Sequence, residues 1–192
     1  VQQAQNDQPQ EPEEQTEPQI HIPFDHDRSN RFRGIIHHLT EKCGGNVHNE
    51  GVVDVTSSSV FQTPSFLPFL RSDDDYDPYN IVDLDNEKSC FESDDLPNSW
   101  VCYDFQTMRV KPEAYSIRTY MNGHYHVQNW VIEGSNDKKD WTTLDEKQNE
   151  NSINGVGKSN TFDIQSNDQT YRYLRLRQTA PTSGGMSILN VS

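Results

Sequence analysis

The stretch "HYHVQNWVIEGSNDKKDWTTL", residues 124–144, decides the fold. Two runs rich in strand-forming residues flank a polar Ser-Asn-Asp turn and a charged tip, which is typical of a β-hairpin. Alternation places Trp130 and Ile132 on one face of the first strand, and a second tryptophan opens the return strand. Asn136 and Asp137 favour the turn, because short polar side chains can bond nearby backbone groups. The stretch therefore predicts a hairpin whose tryptophans pack against a sheet.

Further β segments surround this hairpin, each short, rich in β-branched and aromatic residues, and bounded by turn formers. They are "VVDVTSS" (52–58), "SWVCYDF" (99–105), "YSIRTY" (115–120), "TFDIQ" (161–165) and "YRYLRLRQ" (171–178). The last segment alternates leucines with arginines, as expected for an antiparallel sheet with one dry and one wet face. We predict an all-β jelly-roll sandwich over residues 50–192. Its buried core should include Trp100, Phe105, Ile117, Trp130, Ile132, Leu174 and Leu176.

A short helix is predicted over residues 33–43, before the first strand. Ile35, Ile36 and Leu39 fall at helical spacing, and Gly44 with Gly45 supplies a left-handed stop. The chain therefore divides into an amino-terminal tail, residues 1–31, and a folded domain, residues 32–192.

The tail is rich in Gln, Glu and Pro, and its first thirty residues carry seven acidic side chains and one basic one. Such a composition cannot offset the entropy of ordering a chain by itself. Its apolar residues Ile20, Ile22 and Phe24 alternate at strand spacing. We expect this segment to lie along a surface, either the sheet edge of its own domain or a neighbouring protein in a larger assembly.

Composition limits the classes of partner and compartment. The chain has 192 residues, a net charge of −14 and a mean hydropathy of −0.94. This charge disfavours nucleic acid and anionic membranes as partners. The three cysteines, Cys43, Cys90 and Cys102, allow at most one internal disulfide and do not form a disulfide framework. We therefore expect a reducing compartment and a cytoplasmic, cytoskeleton-associated location.

The strand series "NSWVCYDF", "YSIRTY", the hairpin and "YRYLRLRQT" resembles the discoidin, or coagulation factor 5/8 type C, domain family. The resemblance spans residues 32–192, and the hairpin is its most specific part. The run "GIIHHLTEKCGGNVHNEGVVDVTSSS" (34–59) is similar to intracellular protist proteins in which this domain follows a BTB region. The family implies a galactose-binding-like jelly roll that binds sugars, lipids or proteins through loops at one end.

Two departures from that family concern the end of the chain. Extracellular members usually close the domain with a disulfide between its ends, and no cysteine here lies near the carboxyl terminus. The last strand, usually an apolar run ending in Gly, is expected to be cut off after "SILNVS" (187–192). Both departures weaken the case for phosphatidylserine binding, and a calcium ligand normally contributed by that strand would be missing.

The strongest ligand candidates are His124, Tyr125, His126 and Trp130. An exposed aromatic ring can stack on a sugar face, and imidazoles beside it can donate hydrogen bonds. In the competing interpretation, which is the more common one for such loops, these residues only close the end of the sandwich.

An apolar loop is a candidate partner contact. It contains Phe61, Phe66, Leu67, Phe69 and Leu70. Exposed together, these side chains would form a patch that marks a protein or membrane contact. Tucked under the sandwich, they would form a satellite core. The acidic run that follows disfavours an anionic membrane, and the pattern leaves core and protein contact equally open.

The run "DLDNEKS" offers oxygen atoms to a structural Ca²⁺ through Asp83, Asp85, Asn86 and Ser89. A solvated acidic turn accounts for the same residues, and no other cofactor is expected. No motif for nucleophilic, metal-dependent or phosphoryl-transfer catalysis is present, so an enzyme is not expected.

Together these features favour a non-catalytic intracellular module that binds protein partners and takes part in a larger, cytoskeletal assembly. The alternative is a lectin-like module that recognises a galactose-type glycan.

Overall fold

The computed structural model describes residues 22, 31–62, 76–83, 86, 89–120, 125–165 and 168–192. Within this part the chain forms one α-helix, α1 (Ile35–Cys43), a 3₁₀ helix (Pro78–Val82) and nine strands. The strands are β1 (Asp54–Ser57), β2 (Phe91–Glu92), β3 (Trp100–Asp104), β4 (Ala114–Arg118), β5 (Trp130–Ser135), β6 (Thr142–Lys147), β7 (Ser159–Asp163), β8 (Tyr173–Gln178) and β9 (Asn190–Val191). The predicted all-β class with a short leading helix is confirmed.

The described strands form three antiparallel sheets. The largest has five strands in the order β1-β3-β8-β5-β6. Two small sheets, β4-β7 and β2-β9, contribute residues to the same core cluster, which gives a sandwich. All the β segments predicted from alternation are strands in the structure. The two-residue strand β2 was not predicted, because so short a segment carries no alternation. Strand β9 lies within "SILNVS", where the last strand was expected to be cut off.

Trp130 joins the two layers of the sandwich. Its side chain is fully buried, with its indole edge-on to the Phe162 ring at 5.3 Å. The indole Nε1–H donates to the Tyr115 hydroxyl at 2.9 Å. Tyr115 and Phe162 are register partners on β4 and β7, and their rings stack at 5.3 Å. The predicted packing role of Trp130 is confirmed, and its polar edge is satisfied inside the core.

The rest of the predicted core is confirmed with two differences. Phe105, Ile117, Ile132 and Leu176 are buried, and Leu174 packs against the core while partly exposed. Trp100 is only half-buried, so its predicted core position is wrong. The register explains this, because Val101 pairs with Leu176 and shares its inward face, and alternation then turns Trp100 outward.

The β5–β6 hairpin has the predicted turn chemistry. The Asp137 carboxylate accepts the backbone N–H groups of Lys139 at 2.8 Å and Asp140 at 2.9 Å. Lys138 takes the left-handed conformation at φ 62°, and its carbonyl accepts the Trp141 indole N–H at 3.2 Å. The tip is therefore an ordered turn that holds Trp141 and Lys138 over the sheet.

The amino-terminal elements agree with the sequence where they are described. Helix α1 buries Leu39 and ends at Gly44, whose φ is 79° and whose N–H donates to the Thr40 carbonyl at 2.8 Å. Ile22 is half-buried, while Ile20 and Phe24 lie outside the described residues. Cys43, Cys90 and Cys102 are all free thiols. No helix in the described part of the chain combines the length and apolarity needed to span a bilayer.

Candidate functional site

One end of the sandwich brings three loops together, because β3 and β5 begin where β1, β6 and β8 end. We call this end, formed by loops 93–99, 125–129 and 179–189, the loop end. The Ser187 N–H donates to the Asp95 carboxylate at 2.6 Å, and the Ser183 N–H donates to the His126 carbonyl at 3.1 Å. These bonds tie the last loop to both of the others.

Tyr125 is the exposed aromatic of the loop end. Its side chain is 39% exposed, and its ring lies directly against Gly184. A Cβ at Gly184 would lie 2.4 Å from the tyrosine Cδ1, so only glycine permits this close approach. The glycine meets the Cδ1–Cε1 edge of the ring, since a Cβ there would lie 2.4 and 2.7 Å from these two atoms but 3.7 Å from Cγ. This contact fixes the position of the ring without covering either of its faces, which suits stacking on a flat ligand.

The other described residues of the predicted ligand set are buried. His126 is buried at 7% exposure, and Trp130 is fully buried beneath the loop end. The predicted contact between Trp130 and a ligand is therefore wrong, because the alternation of β5 turns its indole into the core. His124 lies outside the described residues. Of the residues predicted to bind a ligand, the structure shows Tyr125 exposed.

The loop end also contains an open pocket of about 200 Å³. It is lined by Pro97, Asn98, Gln178, Thr179, Ala180, Pro181 and Ser187. Gln178 is 1% exposed, and within the described ranges neither its amide nitrogen nor its amide oxygen has a hydrogen-bond partner. An unpaired buried amide costs about 1–3 kcal/mol. An unpaired donor and an unpaired acceptor therefore lie behind the pocket wall, closed off from solvent, and a ligand would reach them only after the lining residues shift.

The predicted partner contact and metal site are only partly described. Phe61 is half-buried, with its ring edge-on to Tyr76 at 5.7 Å, while Phe66, Leu67, Phe69 and Leu70 lie outside the described residues. Asp83, Asn86 and Ser89 are described and Asp85 is not. No group of three potential metal-binding side chains of the His, Cys, Asp and Glu types occurs among the described residues. Both sites stay predictions.

A second polar surface covers the outer face of the five-stranded sheet. There Glu133, only 5% exposed, accepts hydrogen bonds from Arg175 at 2.8 Å and from Arg177 at 2.9 Å. Burial opposes ionisation of this carboxyl, but the bonds and charges of the two arginines outweigh it and lower its pKa. The sequence indicated a wet face here through its alternating arginines, but it did not indicate the central buried glutamate.

Comparison with known proteins identifies the family. The family model for the F5/8 type C domain matches residues 54–191. This chain belongs to the F5/8 type C domain family. Domains of this family generally act as binding modules and do not carry out catalysis themselves. The resemblance seen in the sequence is confirmed at the family level.

One curated relative is a Drosophila melanogaster protein described as E3 ubiquitin-protein ligase Ufd4. It is 27% identical over 141 residues, which cover 71% of this chain and 5% of the relative. The chain thus matches only a small part of that protein's length.

Two solved structures share the fold of this F5/8 type C domain. CpGH89CBM32-5 from Clostridium perfringens, solved with GalNAc-β-1,3-galactose, has a TM-score of 0.56 at 12% identity and covers 73% of this chain and 91% of its own. Chitosan-binding module 2 from Paenibacillus sp. IK-5, solved with chitotriose, has a TM-score of 0.53 at 12% identity. The match covers 73% of this chain and 92% of the chitosan-binding module. Both likenesses concern the fold.

Proposed function

We propose that this F5/8 type C domain is a non-catalytic recognition module whose loop end binds a neutral carbohydrate. The observation that carries the proposal is the exposed Tyr125 ring, supported on Gly184, at the same end as a pocket with the unpaired Gln178 amide. Sugar rings stack on aromatic faces, and their hydroxyl groups both donate and accept hydrogen bonds. The glycans bound by the two structural neighbours give further support.

The proposal predicts that Tyr125→Ala reduces glycan binding. A glycan array probed with the full chain would select a ligand, and titration calorimetry would give its affinity. Removing the stacking ring should weaken binding about fivefold or more, since an aromatic contact of this kind contributes about 1 kcal/mol or more.

A matched control is Phe32→Ala, because Phe32 is exposed to nearly the same extent, 38%, and lies beneath the Arg118 guanidinium, away from the pocket lining. This variant should bind within twofold of the parent chain. An array without a specific glycan, or equal losses in the two variants, would contradict the proposal.

The second candidate function is an intracellular adaptor that docks protein partners, in the cytoplasm and within a cytoskeletal assembly. Likeness to part of a ubiquitin ligase favours it, because that relative's name indicates action on proteins. Exposed Leu96, next to the pocket residue Pro97, adds an apolar contact at the same end. A BTB region upstream in the full-length protein would support the adaptor. Crosslinking in cells, with Leu96→Ser as the variant, separates protein capture from glycan binding.

A further inference from the structure

A groove of about 120 Å³ lies on the outer face of the five-stranded sheet, and it shares no lining residue with the loop-end pocket. A row of register partners crosses this face: Thr56 on β1, Cys102 on β3 and Arg175 on β8. Trp100 lies two residues before Cys102 on the same face, and the hairpin supplies Lys138 and Trp141. The Arg175 guanidinium carbon lies 3.8 Å from the centre of the Trp141 ring. The groove, lined by these six residues, therefore combines two half-buried indoles with two cations.

The charge balance around the groove is positive, although the chain as a whole is acidic. Both charged residues among those lining it are cations, Lys138 and Arg175. Behind them Glu133 is shared between Arg175 and Arg177, which leaves one positive charge uncompensated in that trio.

Lys138 adds a second positive charge. Its ammonium lies 4.9 Å from the centre of the Tyr173 ring, and no carboxylate of the described residues comes within salt-bridge distance.

The other charges on this face are matched only in part. Arg172 forms a two-bond pair with Asp104, with distances of 2.7 and 3.0 Å. Asp54, at the start of β1, lies 3.4 Å from the His48 Nδ1 atom, but this nitrogen accepts the Val55 N–H at 3.0 Å and so does not neutralise the carboxylate. Lys138 and Arg175 line the groove itself, so they act on a ligand there at shorter range than these carboxylates do.

Chemistry and size restrict the occupant. Two cations exclude a cationic ligand, although indoles alone would favour one. Burial raises the pKa of the Cys102 thiol to about 11, so a covalent or metal-binding thiolate at the base of the groove is disfavoured. The volume is well below the roughly 300–1,000 Å³ of small-molecule pockets, but it suits one anchoring side chain of a protein partner. Tryptophan and arginine are also the residues enriched where such anchors bind.

We propose that this groove docks an acidic, extended segment of a partner protein, with one carboxylate side chain placed between Lys138 and Arg175 and flanked by Trp100 and Trp141. The site is independent of the loop end, so glycan recognition and peptide docking can occur on one domain.

Fluorescence anisotropy on the full chain tests the docking. The probe is a fluorescein-labelled hexapeptide with four glutamates between two serines, and the control peptide carries glutamine in their place. At low salt the acidic peptide should bind saturably and at least tenfold more tightly than the glutamine peptide. Lys138→Gln should weaken binding about fivefold or more, the contribution of a charge-assisted contact.

Lys139→Gln is the matched control, because this lysine is the next residue of the same exposed turn and does not line the groove. It should change the affinity by less than twofold. Binding should also alter the emission of Trp100 and Trp141, and replacing both with Phe should remove that change, since Trp130 is fully buried. Equal losses for Lys138→Gln and Lys139→Gln, or equal binding of the two peptides, would overturn the proposal.

Two further outcomes would assign another occupant. The variant of the full chain with Glu11, Glu13, Glu14 and Glu17 changed to Gln removes acidity from the tail. If it binds the probe tenfold more tightly than the parent, the chain's own tail occupies the groove and the partner assignment is overturned. Displacement of the peptide by oligogalacturonate at lower concentration than by unlabelled peptide would overturn it in favour of an acidic glycan.

Discussion

At the scale of single residues, Gln178 is better explained by ligand binding than by a purely structural role. It ends β8 on the same face as Leu174 and Leu176, a position where an apolar side chain would pack without cost. A glutamine with both amide atoms unpaired among the described residues is poorly suited to stability alone. Its presence is understandable if a ligand at the loop end completes its hydrogen bonds.

We predict that Gln178→Leu leaves the free energy of unfolding unchanged or raises it by about 1–2 kcal/mol, because an unpaired buried amide is replaced by an apolar group of similar size. The same change should weaken glycan binding at the loop end at least fivefold. Urea denaturation and calorimetry provide the two measurements. A loss of stability above about 1 kcal/mol would mean that the amide is already satisfied within the chain.

At the scale of elements, the fit of β5 against the bridge formed by Val110 and Tyr171 depends on a glycine. A Cβ at Gly134 would lie 2.6 Å from two atoms of the Tyr171 ring, which is buried at 2% exposure. The ring can therefore cover the end of β5 only because that position lacks a side chain.

Gly134→Ala should lower the free energy of unfolding by about 1–3 kcal/mol, because the buried ring must shift to avoid overpacking. Gly34→Ala is the control, since a Cβ at Gly34 meets no atom within 4 Å and its backbone is extended. That variant should lose less, at most about 1 kcal/mol, because Gly34 is the N-cap of α1 and alanine is a poorer N-cap than glycine. Thermal unfolding followed by circular dichroism distinguishes them, and equal midpoints would show that Tyr171 moves without cost.

The sequence predicted an element well where the alternation of apolar and polar residues within that element was clear. The β5–β6 hairpin and β8 alternate clearly, so both were identified with their inward faces. On β3 the alternation was visible, but its phase depended on pairing Val101 with Leu176, so Trp100 was placed inside in error. The loop-end pocket was not predictable, since it depends on contacts such as that between Asp95 and Ser187, which are 92 positions apart.

At the scale of the whole molecule, stability should depend on pH through two carboxyl groups on the outer face of the sheet. Burial opposes ionisation of both Asp104 and Glu133. Hydrogen bonds outweigh it and lower both pKa values in the folded state. Arg172 donates to Asp104, and Arg177 and Arg175 donate to Glu133. A group with a lowered folded pKa stabilises the fold above its unfolded pKa, near 4, and loses that contribution as pH falls below it. Glu92 acts in the opposite direction, because burial raises its pKa.

We therefore predict that the free energy of unfolding falls as the pH is lowered from about 5 to 3, and that Glu133→Gln flattens this fall. At pH 7 the substitution should cost about 1–3 kcal/mol, because Arg175 and Arg177 lose their shared carboxylate, although both remain partly exposed. At pH 3 its cost should shrink, since the parent glutamate is then partly protonated.

Glu146→Gln is the control, because Glu146 is exposed on β6 and its carboxylate accepts a bond from the Gln148 amide. Urea titrations at several pH values give the comparison. Parallel pH profiles for the parent and Glu133→Gln would show that this buried carboxylate does not couple protonation to folding.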